Sequence, residues 1–132
     1  IEACSVWSVD HATHSVRFLT NNGTGGDALN DTTLALGDGF VGYVGESGRW
    51  FYSNAVLDHP RHYSALDRAT GMQTFSILCV PLRYHDDVLG VLQLVNRTDG
   101  DFDETDVELA LAYAAPLALA LHLLHPAPAQ PT

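Results

Sequence analysis

Lysine is absent from this chain of 132 residues, and its six arginines are outnumbered by sixteen acidic residues, so the formal net charge is -10. A surface of that charge repels nucleic-acid phosphates and anionic lipid headgroups. The composition therefore predicts a protein that binds neither nucleic acid nor a membrane surface. An anionic small molecule can bind such a protein only in a pocket where arginine side chains or backbone N–H groups make the local electrostatic potential positive.

Cysteine is scarce as well. The two cysteines, Cys4 and Cys79, each lie inside an apolar, strand-like run without a second thiol nearby in the sequence. We therefore expect small buried residues in a reducing cytosol rather than a disulfide or a reactive thiol, which predicts a cytoplasmic protein. No serine, cysteine or aspartate stands in a nucleophile context with a base at a sensible spacing, so we expect the domain itself not to be an enzyme.

A metal site is not expected either. Two histidines three residues apart can present two ligands to one ion when they lie on a helix. Acidic or cysteine partners at a matching spacing are missing around each such pair. The pairs are His11 and His14, His59 and His62, and His122 and His125.

Short alternating runs come in pairs along the chain. Ser5 to Asp10 and Ser15 to Thr20 predict a first hairpin, and the apolar runs on either side of Asp86 and Asp87 predict a second. Gly37 leads into a short helix that should stop at Gly48. Because strands pair in sequence while helices gather in the middle and at the end, the pattern indicates an α+β fold.

The last helix has the clearest start. Asp103 is a candidate N-cap, with Asp106 three residues later and Phe102 placed for a hydrophobic staple. From Leu109 onwards the helix is apolar nearly all round, but the run is short for a membrane span and contains Pro116, which should kink it. We therefore expect one side to pack on its own sheet and the other on a second copy of the chain. The predicted dimer interface comprises Leu109, Tyr113, Leu117, Leu121 and Leu124.

Several blocks recur in the order and spacing of a known family. They are LGDGFVGYV (36–44), DHPR (58–61), TG (70–71), SILCVPL (76–82) and GVLQLVNR (90–97), followed by Phe102 and Asp106. With these blocks the chain resembles a GAF domain, the small sensory domain of cyclic-nucleotide phosphodiesterases, adenylyl cyclases, histidine kinases and phytochromes.

The resemblance implies a central antiparallel sheet of about six strands with helices on both faces, the GAF/PAS-like α+β arrangement. We expect a single domain over residues 1–125 and a proline-rich linker fragment over residues 126–132, after which the native chain continues. The helix that precedes the first strand in the family is missing from the sequence.

Cyclic-nucleotide-binding members carry a signature of Asn-Lys, then Phe, then three residues, then Asp-Glu. Here Asn96, Phe102 and Asp106 match it, Arg97 replaces the lysine, and Val107 replaces the glutamate. In the family the basic residue and the aspartate are thought to brace the pocket, which Arg97 and Asp106 could do with bidentate geometry. The alternative is that these residues only end a strand and cap a helix.

The pocket of this family lies between the sheet and the middle segment, here roughly residues 40–76. A purine would stack on Phe40 or Tyr63, and a cyclic phosphate would meet helix N–H groups and Arg61. The same side chains could instead hold a loop or fill the core. The candidate contacts are Phe40, Asn54, Asp58, Arg61, Tyr63, Thr70, Thr74 and Ser76.

The resemblance implies a regulatory small-molecule sensor, with a cyclic nucleotide as the first candidate ligand and a homodimer as the signalling unit. A covalently linked effector domain would complete the parent protein as a phosphodiesterase, cyclase or kinase. A ligand-free dimerisation module is the alternative, and a haem sensor is a lesser one. A rare branch of the family reduces free methionine sulfoxide with several cysteines, which two separated cysteines do not fit.

Overall fold

Six antiparallel strands form one sheet in the order β3-β2-β1-β6-β5-β4 in the computed structural model, which describes residues 3–22, 32–59 and 73–124. The longest strands, β1, β2, β5 and β6, form the middle of the sheet and the three-residue strands form its edges. The α+β fold with six strands and helices on both faces is confirmed. The strands are β1 Ala3–Asp10, β2 Ser15–Asn22, β3 Thr33–Ala35, β4 Phe51–Ser53, β5 Ile77–Tyr84 and β6 Asp87–Val95.

Helix α1 (Gly39–Ser47) covers one face of the sheet, and helix α2 (Glu104–Leu124) covers the other. The predicted stop of α1 is confirmed: Gly48 adopts a left-handed φ of 69°, and its N–H donates to the Val44 carbonyl at 2.9 Å. Glycine suits this position because a side chain is strained at positive φ. A 3₁₀ turn (Val56–Asp58) follows β4.

The two faces of the sheet carry two separate cores. Strand β5 is buried on both faces, so its alternate residues belong to different cores: Ile77 and Cys79 to the α1 side, Leu78 and Val80 to the α2 side. On the α1 side they pack with Trp7, Val16, Phe18, Phe40, Val41, Val44, Val56, Val91 and Val95. On the α2 side they pack with Leu82, Leu92, Phe102, Val107, Ala110, Ala114, Ala118 and Leu121.

Helix α2 begins with the predicted capping box. Asp106 N–H donates to Asp103 Oδ1 at 3.1 Å, and Asp103 N–H donates to Asp106 Oδ2 at 3.0 Å. Phe102 and Val107 are both buried in the α2-side core, as a hydrophobic staple requires. The helix continues through Pro116 without a break.

Helix α2 packs on the sheet through one stripe only. By length and composition it could cross a membrane, but its stripe of buried residues, Val107, Ala110, Ala114, Ala118 and Leu121, contacts the sheet as in a core helix. The opposite side is apolar and exposed. This outward face of α2 comprises Leu109, Ala112, Tyr113, Pro116, Leu119, Leu123 and Leu124.

The packing corrects one part of the predicted dimer interface. Leu121 is only 6% exposed because it lies in the α2-side core, so its assignment to an interface is wrong. Leu117 is half-buried at the edge of the same core. Leu109, Tyr113 and Leu124 lie on the outward face, as an interface would need, and their role stays a prediction.

Candidate ligand-binding site

A row of side chains crosses the α1 side of the sheet from β4 to β1. Phe51 pairs with Cys79, Cys79 with Gln93, and Gln93 with Ser5 in the strand register. Because paired residues on adjacent strands point to the same face, the four side chains lie side by side. We call Phe51, Cys79, Gln93 and Ser5 the cross-strand row.

Hydrogen bonds fix the polar members of the row. Trp7 Nε1 donates to Ser5 Oγ at 3.0 Å, and Ser5 Oγ donates to Gln93 Oε1 at 3.1 Å. Ser5 is 6% exposed and Trp7 is fully buried, whereas Gln93 keeps an intermediate exposure. The row is therefore a polar strip, held in place, within an otherwise apolar face.

Cys79 lies beside Gln93 as a buried, protonated thiol. Burial raises the pKa of Cys79 well above its ordinary value, and the hydrogen bond with the Gln93 side chain offsets only part of that rise. Such a thiol is a poor nucleophile, because the thiolate is the reactive form.

An aromatic group adjoins the β4 end of the row. The Phe51 ring stacks on Phe40 with centroids 5.4 Å apart, and the His59 ring contacts both, at 5.2 Å from Phe51 and 5.1 Å from Phe40. The row thus combines an aromatic surface at one end with an amide in its middle, the two elements that a purine ring needs for stacking and for hydrogen bonding of its edge.

The sequence predictions missed Ser5 and Gln93. The signal was present: in β1 and β6 these residues occupy the same alternate positions as Trp7, Val91 and Val95, which face the core. A polar residue at a core-facing position of a strand marks a buried polar contact or a ligand site. Only the pairing of the strands brings the two side chains together.

The family signature lies away from this row, at the connection between β6 and α2. Asn96 has a positive φ of 57°, and its side-chain oxygen accepts N–H bonds from Phe75 at 2.6 Å and Ser76 at 3.1 Å. Its side-chain nitrogen donates to the Gln73 carbonyl at 2.8 Å. Asn96 therefore fastens the segment before β5 to the end of β6.

Arg97 holds the same connection together. Its Nη1 donates to Asp106 Oδ2 at 2.7 Å and to the Asp101 carbonyl at 2.8 Å, while its Nε donates to Asp99 Oδ1 at 2.9 Å. The hydrogen bond that Arg97 donates to Asp99 raises the pKa of Arg97 and lowers that of Asp99. The predicted pair of Arg97 with Asp106 forms, but through Nη1 alone; the bidentate geometry is wrong, because the guanidinium spreads its donors over three partners.

Asn54 joins this connection from β4. Its Nδ2 donates to the Phe102 carbonyl at 3.0 Å, and Phe102 N–H donates to its Oδ1 at 2.8 Å. Ser76 Oγ accepts the N–H of Arg97 at 3.1 Å. We call this hydrogen-bonded group the β6–α2 junction; it comprises Asn54, Ser76, Asn96, Arg97, Phe102, Asp103 and Asp106.

The predicted ligand contacts are thus spread over different places. Asn54 and Ser76 belong to the junction, Phe40 is 5% exposed in the α1-side core, and Thr74 is buried before β5. Asp58 is exposed at the end of the 3₁₀ turn. Arg61, Tyr63 and Thr70, like residues 125–132 with the predicted linker, lie outside the described residues.

The two cysteines lie on opposite faces of the sheet. Cys79 belongs to the α1-side core, and Cys4 packs at the edge of the α2-side core, where burial raises the pKa of its thiol. The sheet separates the two sulfur atoms, so the two cysteines cannot form a disulfide with each other in this fold. Within residues 3–22, 32–59 and 73–124, no three His, Cys, Asp or Glu side chains are grouped to hold a metal ion.

An open cleft of about 340 Å³ lies between the end of α1 and the β5–β6 turn. Its two basic side chains serve structure: Arg83 Nη2 donates to the Gly48 carbonyl at 2.6 Å, and His11 Nε2 bonds the Val88 carbonyl at 2.8 Å. The cleft therefore offers less for a ligand than the cross-strand row does.

A family model described as GAF domain matches residues 1–122, and the chain belongs to this family. Among curated relatives, the probable 3',5'-cyclic phosphodiesterase pde-5 of Caenorhabditis elegans is 33% identical over 87 residues, 66% of this chain and 12% of the relative. The cGMP-specific 3',5'-cyclic phosphodiesterase of Drosophila melanogaster is 34% identical over 89 residues, 65% of this chain and 8% of the relative. The chain thus spans about a tenth of the length of these relatives.

Solved structures share the fold. The GAF domain of an Acinetobacter phosphoenolpyruvate-protein phosphotransferase has a TM-score of 0.76 at 23% identity, covering 94% of this chain and 74% of that one. The free methionine-R-sulfoxide reductase of Neisseria meningitidis, solved with its substrate, has a TM-score of 0.70 at 24% identity, covering 89% and 64%. The fold therefore occurs in a domain of a phosphotransferase and in a reductase, so the fold alone does not distinguish a catalytic domain from a non-catalytic one.

Proposed function

We propose that this GAF domain is the sensory part of a larger signalling protein, that a cyclic nucleotide binds on the α1 side of its sheet, and that two copies pair through the outward face of α2. The relatives' names support the ligand class, since both are phosphodiesterases of cyclic nucleotides. The domain would regulate a linked effector domain rather than catalyse a reaction.

The observation that carries the proposal is the cross-strand row. A buried hydroxyl and a half-buried amide on an apolar face cost stability unless they are hydrogen-bonded, and the bonds among Trp7, Ser5 and Gln93 meet that need. Ser5 and Cys79 engage two of the four hydrogen-bonding positions of the Gln93 amide, which leaves a donor and an acceptor for the edge of a purine. Phe51 at the end of the row provides the ring for stacking.

The geometry disfavours a reductase. Methionine sulfoxide reduction by thiols needs a reactive thiolate and a second thiol to resolve the oxidised sulfur. Here Cys79 is buried and held protonated, and Cys4 lies beyond the sheet.

A ligand-free dimerisation module is the second candidate. The close packing of the Phe40, Phe51 and His59 rings favours it, because these rings fill part of the α1 side without any ligand. In that case the outward face of α2 would carry the whole function.

Calorimetric titration with cAMP and with cGMP, together with thermal melting, tests the proposal. A ligand at 100 times its dissociation constant should stabilise the fold by about 2.7 kcal/mol. Gln93→Leu should remove the effect, while Thr20→Val, an exposed polar-to-apolar change on β2, should keep it. Absence of heat and of a melting shift with both nucleotides would refute the cyclic-nucleotide assignment and favour the dimerisation module.

A further inference from the structure

The amide in the cross-strand row is held in one orientation by its neighbours on β1. Among the described residues, Ser5 Oγ has two side-chain partners, Trp7 Nε1 at 3.0 Å and Gln93 Oε1 at 3.1 Å. The indole nitrogen can only donate, so the single hydroxyl hydrogen of Ser5 has to go to Gln93. Because Ser5 is 6% exposed, leaving this hydrogen without an acceptor would cost stability. Gln93 therefore has to present its oxygen, and not its nitrogen, to Ser5.

The neighbour on β5 agrees with that orientation. Cys79 lies beside Gln93 in the row, and its thiol is hydrogen-bonded by the Gln93 side chain. Burial raises the pKa of this thiol, and the bond with Gln93 acts in the opposite direction, as a bond donated to the sulfur does. The donor is the amide nitrogen, because the amide oxygen carries no hydrogen. The oxygen of the amide thus faces β1 and its nitrogen faces β5.

The two purine bases present opposite patterns to such an amide. On its pairing edge, adenine has the N1 acceptor beside the N6 donor, whereas guanine has the N1–H donor beside the O6 acceptor. A freely rotating amide can bond either base, since a half-turn exchanges its oxygen and its nitrogen. An amide held in one orientation suits only one of the two bases when stacking on Phe51 fixes the position of the ring.

We propose that Trp7 and Ser5 are positioning residues that set the choice between adenine and guanine nucleotides by fixing the orientation of the Gln93 amide. Both act through Gln93, whose remaining donor and acceptor meet the edge of the base. This inference rests on the proposed function, because it concerns a purine nucleotide bound at the cross-strand row.

Calorimetric titration of the 132-residue chain with cAMP and cGMP measures the choice as a ratio of dissociation constants. The unchanged chain should prefer one nucleotide roughly tenfold or more, as a bidentate contact to a base edge allows. Ser5→Ala removes the hydroxyl that orients the amide and should bring the ratio to within about threefold of one. Ser8→Ala, the same change on the opposite face of β1, should keep the original ratio.

A second variant guards against a loss of folding. Ser5→Ala leaves the buried Trp7 N–H without its acceptor, whereas Ser5→Ala combined with Trp7→Phe removes both partners and leaves no polar group alone. This double variant should show the same reduced ratio. An original ratio near one, or a ratio that both variants leave unchanged, would overturn the inference while nucleotide binding stands.

Gln93→Glu tests whether this side chain meets the base. A carboxylate only accepts, and Ser5 can still donate to it. Guanine offers two adjacent donors on its pairing edge and adenine offers one, so the variant should shift the ratio towards cGMP roughly tenfold. The added charge repels the phosphate of both nucleotides alike and cancels in the ratio. An unshifted ratio would contradict a contact between Gln93 and the base edge, and the inference with it.

The orientation of the amide can also be measured without a ligand. In NMR spectra of the free chain, the Gln93 Nε2 hydrogens should show stronger nuclear Overhauser effects to the Cys79 β-hydrogens than to those of Ser5. The reverse order would overturn the inference. If neither nucleotide binds, the proposed ligand fails and the choice between purines fails with it, whereas the Overhauser effects still decide whether Trp7 and Ser5 orient the amide.

Discussion

The two faces of this sheet differ in the polarity of the side chains they bury. The buried residues of the core on the α2 side are leucine, valine, alanine and phenylalanine, with the Cys4 thiol at its edge. The α1 side holds a hydroxyl and an amide, besides the Cys79 thiol, among its apolar residues. Neighbouring residues of one strand, such as Leu92 and Gln93, point into these different surroundings. The difference indicates that the α2 side serves stability and assembly, while the α1 side keeps polar atoms for binding.

The largest expected loss of stability comes from placing an amide on the α2 side of the sheet. Leu92→Gln buries an amide against α2, where Leu92 is 5% exposed and its packing partners are apolar. We expect a loss of about 3–5 kcal/mol from lost apolar burial and an unpaired amide, measured by urea unfolding. Leu92→Met, which conserves volume, should cost less than about 1.5 kcal/mol. Equal losses for the two variants would show that the α2 side does not distinguish polar from apolar side chains.

The β6–α2 junction ties the two faces together at one end, and Asn54 is its link to β4. Asn54→Ala removes both hydrogen bonds with the Phe102 backbone and should cost about 1–3 kcal/mol in thermal or urea unfolding. Asn54→Asp keeps the acceptor for Phe102 N–H but loses the donor, so its loss should be smaller. If Asn54→Ala were neutral, the start of α2 would be held by Arg97 and the capping box alone.

The outcome of the sequence predictions shows which features depend on neighbouring residues and which depend on residues distant in the sequence. The capping box at Asp103 and the helix stop at Gly48 follow from neighbours in sequence, and both were predicted. Gln93 and Ser5 meet only because β6 lies between β1 and β5, and the three-residue strand β3 exists only through pairing with β2. Neither is visible in a single segment of the chain.

The wrong placement of Leu121 has a different cause. A helix that is apolar nearly all round does not indicate which stripe faces the sheet. The stripe that faces the sheet depends on the strands it meets, Gly90 on β6 among them: a side chain there would clash with the Trp7 carbonyl and come within 2.7 Å of the Leu121 side chain, so the glycine lets α2 lie close at this point. A contact 31 positions away in the sequence therefore bears on which side of the helix is buried.

Cys79 offers a test on the α1 side that depends on pH. Burial raises the pKa of its thiol in the folded chain, so on raising the pH the unfolded chain loses this proton first, near pH 8.5. The contribution to stability is complete below that pH and declines above it by about 1.4 kcal/mol per pH unit. Urea unfolding between pH 8 and pH 10 should show a steeper decline than in Cys79→Ala. Cys4 is present in both proteins, so parallel curves would contradict the burial of the Cys79 thiol.

The smallest effect on stability should come from the residue that matters most for the proposed ligand. Gln93→Leu removes the acceptor of the buried Ser5 hydroxyl, which still accepts the bond from Trp7. The leucine side chain buries more apolar surface on the α1 side, and this gain offsets the cost of the unpaired hydroxyl donor. We expect the unfolding free energy to change by less than about 1 kcal/mol in either direction, while nucleotide binding is lost. A loss of more than about 2 kcal/mol would instead make Gln93 a structural residue. The amide would then be needed on this face for folding, and the contrast between the two faces would no longer point to a binding site.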